Sequence, residues 1–131
     1  MLEDKTHIIL QGDSRVVLDT LPESIVDVVV TSPPYYNLRD YHNGENEIGR
    51  EDSCEEYVST LTSLFRKVKR VLKPTGTLWL NLGDVYINKQ LAGIPWRVAF
   101  ALQSDGWILR SDKTIYERKP KCFSLGIASP I

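Results

Sequence analysis

The chain has 131 residues, of which 42% are hydrophobic and 25% are charged, with 16 Lys and Arg against 17 Asp and Glu. These fractions are ordinary for a soluble globular protein and exclude a disordered, collagen-like or disulfide-stabilised chain. The nearly neutral charge argues against a protein that binds nucleic acid through bulk positive charge, although it is compatible with a local basic strip.

The sequence shows no segment suited to crossing a membrane or directing export. Its apolar runs are shorter than the ~20 residues of a transmembrane helix, and residues 1–5 lack the apolar region of a signal peptide. Cys54 and Cys122 fit no metal spacing, and His7 and His42 form no cluster with thiols or carboxylates. We therefore expect a cytoplasmic protein that holds no metal ion.

Strand-like and helix-like segments alternate along the first part of the chain. A short apolar run at 7–10 predicts a first strand, and the apolar spacing within 16–21 predicts a short helix. Residues 25–30 are β-branched and almost continuously apolar, which predicts a central strand buried on both faces. Residues 35–52 have no periodicity and predict a long functional loop.

The alternation continues after this loop with two longer helices. Ser53 and Glu56 have the spacing of a capping box, and apolar residues then recur at three- and four-residue steps. The predicted elements are a helix from Ser53 to Lys73, a strand over 77–82, a helix from Pro95 and a strand from Trp107 towards Tyr116. We therefore predict one α/β domain over 1–131, with three layers and a mostly parallel, Rossmann-like sheet.

A rigid corner, Ser32-Pro33-Pro34-Tyr35, follows the predicted central strand. Ligands of open α/β sheets bind at the carboxyl ends of strands, which places this corner at the functional edge. The two prolines fix the backbone, so two acceptor oxygens, the Ser32 hydroxyl and the Pro33 carbonyl, lie in a constant relation to the Tyr35 ring. This arrangement suits a planar group with an exocyclic amine; the simpler alternative is a strand-ending turn with a surface tyrosine.

The surrounding sequence distinguishes these alternatives, because residues 31–41, TSPPYYNLRDY, resemble the catalytic motif of amino-group DNA methyltransferases. Those enzymes transfer a methyl group from S-adenosylmethionine to cytosine N4 or adenine N6. Further segments resemble the same family in the same order: 11–14, 48–51, 70–77, 80–84, 93–97 and 105–110. The resemblance is to the β-type arrangement, in which the catalytic motif precedes the cofactor motif.

The resemblance implies a catalytic role for each residue of the corner. Ser32 and Pro33 would accept hydrogen bonds from the target amine, Pro34 would keep the backbone rigid, and Tyr35 would stack on a base extruded from the duplex. Ser32 stands where other members have Asp or Asn, which is similar to the cytosine-N4 subset, and adenine N6 stays open. A catalytically inactive DNA-binding or interaction module that keeps the fold is the alternative from another class.

The resemblance also implies residues for the cofactor and for double-stranded DNA. Asp13 would lie near the adenine of S-adenosylmethionine, and Thr31 would help to shape that pocket. Basic side chains at the end of a strand can follow a DNA backbone. The predicted DNA-contacting residues are Asn37, Arg39, Lys119 and Lys121.

Two features of the family are missing from this sequence. No aromatic-Gly-x-Gly loop is present, because Gly83 and Gly93 have neither the spacing nor the strand-to-helix context for it. No target-recognition region follows, and residues 123–131 are weakly patterned. We therefore expect the catalytic-motif half of a methyltransferase, with little activity alone and an exposed sheet edge that pairs with a complementing chain or another copy.

Overall fold

The computed structural model describes the backbone of residues 2–3, 7–115 and 122–128, and the side chains of residues 7–112. The strands are β1 (Leu2–Glu3), β2 (Ile8–Ile9), β3 (Val26–Thr31), β4 (Leu72–Gly83), β5 (Tyr86–Ile87), β6 (Gln90–Leu91), β7 (Ile108–Ile115) and β8 (Cys122–Ala128). The helices are α1 (Ser14–Val17), α2 (Cys54–Val71) and α3 (Ile94–Ser104), and a 3-10 turn at Leu18–Thr20 follows α1.

The main sheet has four strands in the order β3-β4-β8-β7. β3 is parallel to β4, and β8 is antiparallel to both β4 and β7, so β3, β4 and β7 all run in one direction. In the β3–β4 ladder, Val30 is paired with Trp79 and Thr31 with Leu80. The predicted α/β class and the mostly parallel direction of its strands are confirmed.

The apolar core lies between the sheet and the two longer helices. Leu78, Leu80 and Leu82 alternate along β4 and are fully buried. They belong to one cluster with Tyr57 and Leu61 of α2 and with apolar residues of α3. Because side chains alternate between the faces of a strand, this single face of the sheet carries the helical layer.

The opposite face of the sheet is uncovered in the described part of the chain. Val28, Val30, Trp79 and Ile108 are 52%, 78%, 45% and 42% exposed. The prediction that 25–30 is buried on both faces is therefore wrong for these residues. The run is apolar enough for two covered faces, but the described residues form two of the three predicted layers.

One further expectation needs correction, and two elements were not predicted from the sequence. β2, from the predicted first strand, pairs with β1 in a separate two-stranded sheet, because its run is too short for its pattern to specify a place in the core. β8 comes from the weakly patterned tail and lies between β4 and β7. Ser and Gly within β8 weaken the strand pattern, which explains why the sequence did not predict it. The β5–β6 hairpin was also not predicted.

The capping box predicted for α2 is present in modified form. Ser53 Oγ accepts a hydrogen bond from the Glu56 amide at 3.1 Å. The Glu56 carboxylate accepts in return from the amide of Asp52, one residue earlier than the motif specifies, at 3.2 Å. The Glu56 amide, which the helix leaves unpaired, and the Asp52 amide just before the helix are thereby satisfied, which fixes where the loop ends.

Candidate active site at the carboxyl ends of β3 and β4

The predicted corner lies where the parallel strands β3 and β4 end side by side. Ser32 is exposed, Pro33 is buried and Tyr35 is half-buried. These three line a cavity of about 200 Å³ together with Leu38, Arg39 and Tyr41. The cavity is smaller than the roughly 300–1,000 Å³ of pockets for drug-sized ligands, so it suits a single small ring system.

The Tyr35 ring is held by contacts with β4 and with its own corner. Asn81 Nδ2 donates a hydrogen bond to the Tyr35 hydroxyl oxygen at 3.1 Å. Ser32 Oγ donates to the same oxygen at 3.2 Å. A Cβ on Gly83 would lie 2.5 Å from Tyr35 Cδ2, so only glycine lets the ring rest against β4. The ring that the sequence assigned to base stacking is therefore fixed in place.

The backbone of the corner is supported from α2 and from the loop. The hydroxyl of Tyr57 in α2 donates to the Pro34 carbonyl at 2.8 Å. Burial raises the pKa of this hydroxyl well above its ordinary value, so it remains a protonated donor. The Gly49 carbonyl accepts from the Asn37 amide at 2.7 Å. A Cβ on Gly49 would lie 2.9 Å from the Tyr35 carbonyl, which shows how closely the loop approaches the corner.

The loop that follows the corner is organised around one buried carboxylate. Glu47 is 9% exposed. Its two oxygens accept from the amides of Tyr41 and Asn43 at 2.7 and 3.0 Å. Tyr41 also lines the cavity with Ser32 and Tyr35. The hydrogen bond from its amide to Glu47 therefore holds part of the cavity wall in place.

Asp13 lies in a second cavity beside the first. This cavity, of about 740 Å³, is lined by Asp13, Pro34 and Tyr41 among others, and Tyr41 lines both cavities. The Asp13 carboxylate caps α1 through the Arg15 amide and forms an ion pair with the Arg15 guanidinium at 2.6 Å. The hydrogen bonds from the Arg15 side chain and amide lower the pKa of Asp13 to about 2, so the carboxylate is ionised at neutral pH.

The remaining predicted residues are distributed over different surfaces. Thr31 lines a groove with Trp79 and Asn81 on the uncovered face, outside the cavity of the corner. Arg39 lines the cavity of the corner, and Asn37 is exposed beside it. Lys119 and Lys121 lie outside the described residues. The roles assigned to all these residues stay predictions.

Sequence reasoning missed Asn81 and Gly83, which fix Tyr35 from β4. Both belong to the segment 80–84 that resembles the family, and this was the available signal. Asp84 of the same segment is almost fully buried. Its buried carboxylate accepts from the amides of Val85, Gly93 and Ile94, so it caps the start of α3.

Neither a metal-binding cluster nor a membrane-spanning helix is found among the described residues. No cluster of three His, Cys, Asp or Glu side chains there is placed to hold a metal ion. None of the helices in the described ranges has the length and apolar character to span a bilayer.

Residues 26–127 match the family model for N6/N4 DNA methylases. The chain belongs to the N6/N4 DNA methylase family. The resemblance predicted from its motifs is thereby confirmed. The type II methyltransferase M.SmaI of Serratia marcescens is 44% identical to this chain over an alignment of 143 positions, which covers 87% of the chain and 48% of M.SmaI.

Solved methylase structures have the same fold. A DNA modification methylase of Thermus thermophilus, complexed with S-adenosyl-L-methionine, superposes with a TM-score of 0.70 at 24% identity, over 91% of this chain and 51% of that protein. The cytosine-N4-specific PvuII DNA methyltransferase superposes with a TM-score of 0.69 at 22% identity, over 91% of this chain and 49% of that protein. The predicted partial Rossmann-like methyltransferase fold is confirmed, and the methylase chain spans about half the length of its matched relatives.

Proposed function

We propose that this methylase chain provides the base-binding half of a DNA methyltransferase that modifies cytosine N4 on a base extruded from the duplex. The observation that carries the proposal is the shared cavity of Ser32, Pro33 and Tyr35 at the carboxyl end of β3. A base must leave the duplex before its amine can reach such a cavity. Tyr35 would stack on that base, and Arg39 beside it would contact the DNA.

The corner has the acceptors that methylation of an aromatic amine requires. S-adenosylmethionine supplies a methyl carbon bonded to positively charged sulfur. The amine nitrogen forms the new N–C bond with its lone pair, the C–S bonding electrons leave with the sulfur, and the nitrogen then releases one proton to solvent. Ser32 Oγ and the Pro33 carbonyl would accept the two amine N–H groups and stabilise the positive charge that develops on nitrogen.

The cavity around Asp13 is the proposed site for the methyl donor. Its volume of about 740 Å³ falls within the range of pockets for ligands of that size. The ionised Asp13 carboxylate can accept hydrogen bonds from hydroxyl or amino groups there, although Arg15 already occupies part of it. Because Tyr41 lines both cavities, a donor bound here would lie next to the base.

Cytosine N4 is favoured over adenine N6 by two observations. The PvuII enzyme, which has the same fold, is cytosine-N4-specific. Ser32 at the first position of the motif agrees with this choice.

A second half of the domain is the proposed partner of the uncovered sheet. The outer edge of β3 has no neighbouring strand among the described residues, and the adjoining face exposes Val28, Val30 and Trp79. A parallel strand added along this edge would end beside Thr31, at the same side as both cavities. We propose that the cofactor-binding half of the methyltransferase supplies that strand and covers the apolar face.

Methyl transfer by a reconstituted enzyme tests this function. The purified chain is mixed with the part of M.SmaI that it does not match, here called the M.SmaI complement, and with DNA and labelled S-adenosylmethionine. The products are digested to nucleosides and identified by mass. We expect N4-methylcytosine from the mixture and little from either polypeptide alone. No transfer by two folded polypeptides contradicts the proposal, N6-methyladenine corrects the base, and strong transfer by this chain alone contradicts the need for a second half.

A further inference from the structure

The proposed role of Ser32 raises the question of where its own proton goes. A hydroxyl carries one proton and two lone pairs, and the target amine carries two protons. If the Ser32 proton pointed at the amine, two donors would face each other. Ser32 can therefore act as an acceptor only if another group takes its proton.

The structure places such a group within hydrogen-bond distance. Ser32 Oγ donates to the Tyr35 hydroxyl oxygen at 3.2 Å. This contact leaves the lone pairs of Ser32 for the cavity that both residues line. The same phenol that orients the stacking ring also receives the serine proton.

The position of the phenol oxygen is set from β4. Asn81 Nδ2 donates to it at 3.1 Å. The β4 backbone at Asn81 pairs with Ser124 of β8, and the residue before it, Leu80, pairs with Thr31 of β3. Neighbouring strands on both sides restrain the backbone that carries Asn81.

We propose that Tyr35 acts twice, stacking on the base with its ring and orienting Ser32 as an acceptor with its hydroxyl oxygen, and that Asn81 is the positioning residue for that oxygen. This inference rests on the proposed function. The two roles of Tyr35 can be separated by experiment. A phenylalanine at position 35 would stack on the base equally well and yet leave the Ser32 proton without its acceptor.

The first test measures transfer by the chain with the M.SmaI complement. Tyr35→Phe and Asn81→Leu, which keep ring and side-chain volume, should each lower kcat about tenfold, the equivalent of one hydrogen bond. KM for DNA should stay within about twofold, because the stacking ring and the DNA contacts remain. Tyr86→Phe, on the exposed β5–β6 hairpin, is the matched control and should leave kcat unchanged.

A double-mutant cycle separates this role from a general structural one. Once Ser32→Ala has removed the proton, adding Tyr35→Phe should lower the residual kcat by less than about twofold. Full additivity of the two changes, or wild-type kcat in Tyr35→Phe, overturns the inference and leaves the proposed function standing.

The second test needs no catalysis, so it separates failure of the inference from failure of the function. The chain alone is labelled with carbon-13 at the tyrosine Cζ, and Tyr35→Phe assigns the Tyr35 resonance. Ser32→Ala and Asn81→Leu should each shift that resonance, and Tyr86→Phe should not. An unshifted Tyr35 resonance in both variants contradicts the hydrogen-bond network, whatever the transfer assay shows.

Discussion

Tyr35 rests on a point of β4 where the chain has no side chain. A Cβ on Gly83 would lie 2.5 and 2.7 Å from two carbons of the Tyr35 ring, far inside van der Waals contact. We predict that Gly83→Ala pushes the ring out of place, lowers methyl transfer by the chain with the M.SmaI complement, and destabilises the chain by about 1–3 kcal/mol.

The cause of this loss can be checked by denaturant unfolding in two backgrounds. In Tyr35→Ala the ring is absent, so Gly83→Ala should cost much less stability than it does in the wild-type chain. An equal loss of unfolding free energy in both backgrounds would contradict this prediction. It would show that Gly83→Ala destabilises the chain for a reason other than contact with the Tyr35 ring.

The residues of the corner were predictable from sequence, and their supports were not. Ser32, Pro33 and Tyr35 are neighbours in sequence, so their shared cavity follows from local backbone geometry. Asn81 and Gly83 lie almost fifty positions away, and their contact with Tyr35 depends on the register of β3 against β4. Which residue of β4 lies beside the corner depends on how the two strands pair, and the pattern within either strand alone does not show that pairing.

At the scale of elements, the loop from Asn37 to Arg50 depends on Glu47. Glu47 is almost completely buried, and its carboxylate accepts hydrogen bonds from two backbone amides. We predict that Glu47→Ala destabilises the chain by about 1–3 kcal/mol, because two part-buried backbone amides lose their hydrogen-bond acceptor. Limited proteolysis should cut this loop faster in Glu47→Ala than in the wild-type chain, and Glu45→Ala, on the exposed part of the loop, is the control. Equal cutting rates would contradict the prediction.

Two strands show which elements the sequence could define. The type and position of β3 followed from its β-branched run, but the run does not show whether its second face is covered, and in the described part of the chain that face is exposed. β8 was missed because its pattern is weak, and it is stabilised by pairing with β4 on one side and β7 on the other. The local pattern of apolar residues predicts a helix or strand that packs its own apolar face on the core. It does not predict a strand such as β8, whose position depends on pairing with neighbouring strands.

At the scale of the whole molecule, ion pairs between carboxylates and arginines make stability depend on pH. Arg66 of α2 binds Asp105 at the end of α3 and lowers its pKa, and Arg15 lowers the pKa of Asp13 to about 2. Because folding lowers the pKa of both carboxyls below that of the unfolded chain, the stabilisation is complete above about pH 5 and is lost as the pH falls towards about 2.

We therefore predict that the melting temperature falls as the pH is lowered from about 5 to about 2.5. Arg66→Gln should reduce this fall, because Asp105 then titrates normally in the folded chain. A melting temperature that drops equally in the wild-type chain and in Arg66→Gln would show that the pair between α2 and α3 does not contribute.

We expect the uncovered face to matter for the proposed assembly and not for the folding of this chain. Val30 is 78% exposed, so Val30→Lys should change the free energy of unfolding of the chain alone by less than about 0.5 kcal/mol. The same change should weaken binding of the M.SmaI complement at least about tenfold, because binding would bury the charge of the lysine in an apolar interface. Val16→Lys, at a 65% exposed position on α1, is the matched control. Unchanged binding by Val30→Lys, measured calorimetrically, would contradict the docking surface.

We propose above that the corner of Ser32, Pro33 and Tyr35 recognises an exocyclic amine on a base. NMR titration of the chain with cytidine and, separately, with uridine tests it most directly, because uridine has a carbonyl oxygen where cytidine has the amine. We expect shifts of the resonances of Ser32, Tyr35 and Leu38 with cytidine and much weaker shifts with uridine. Equal shifts with the two nucleosides, or none at these residues with cytidine, would contradict it.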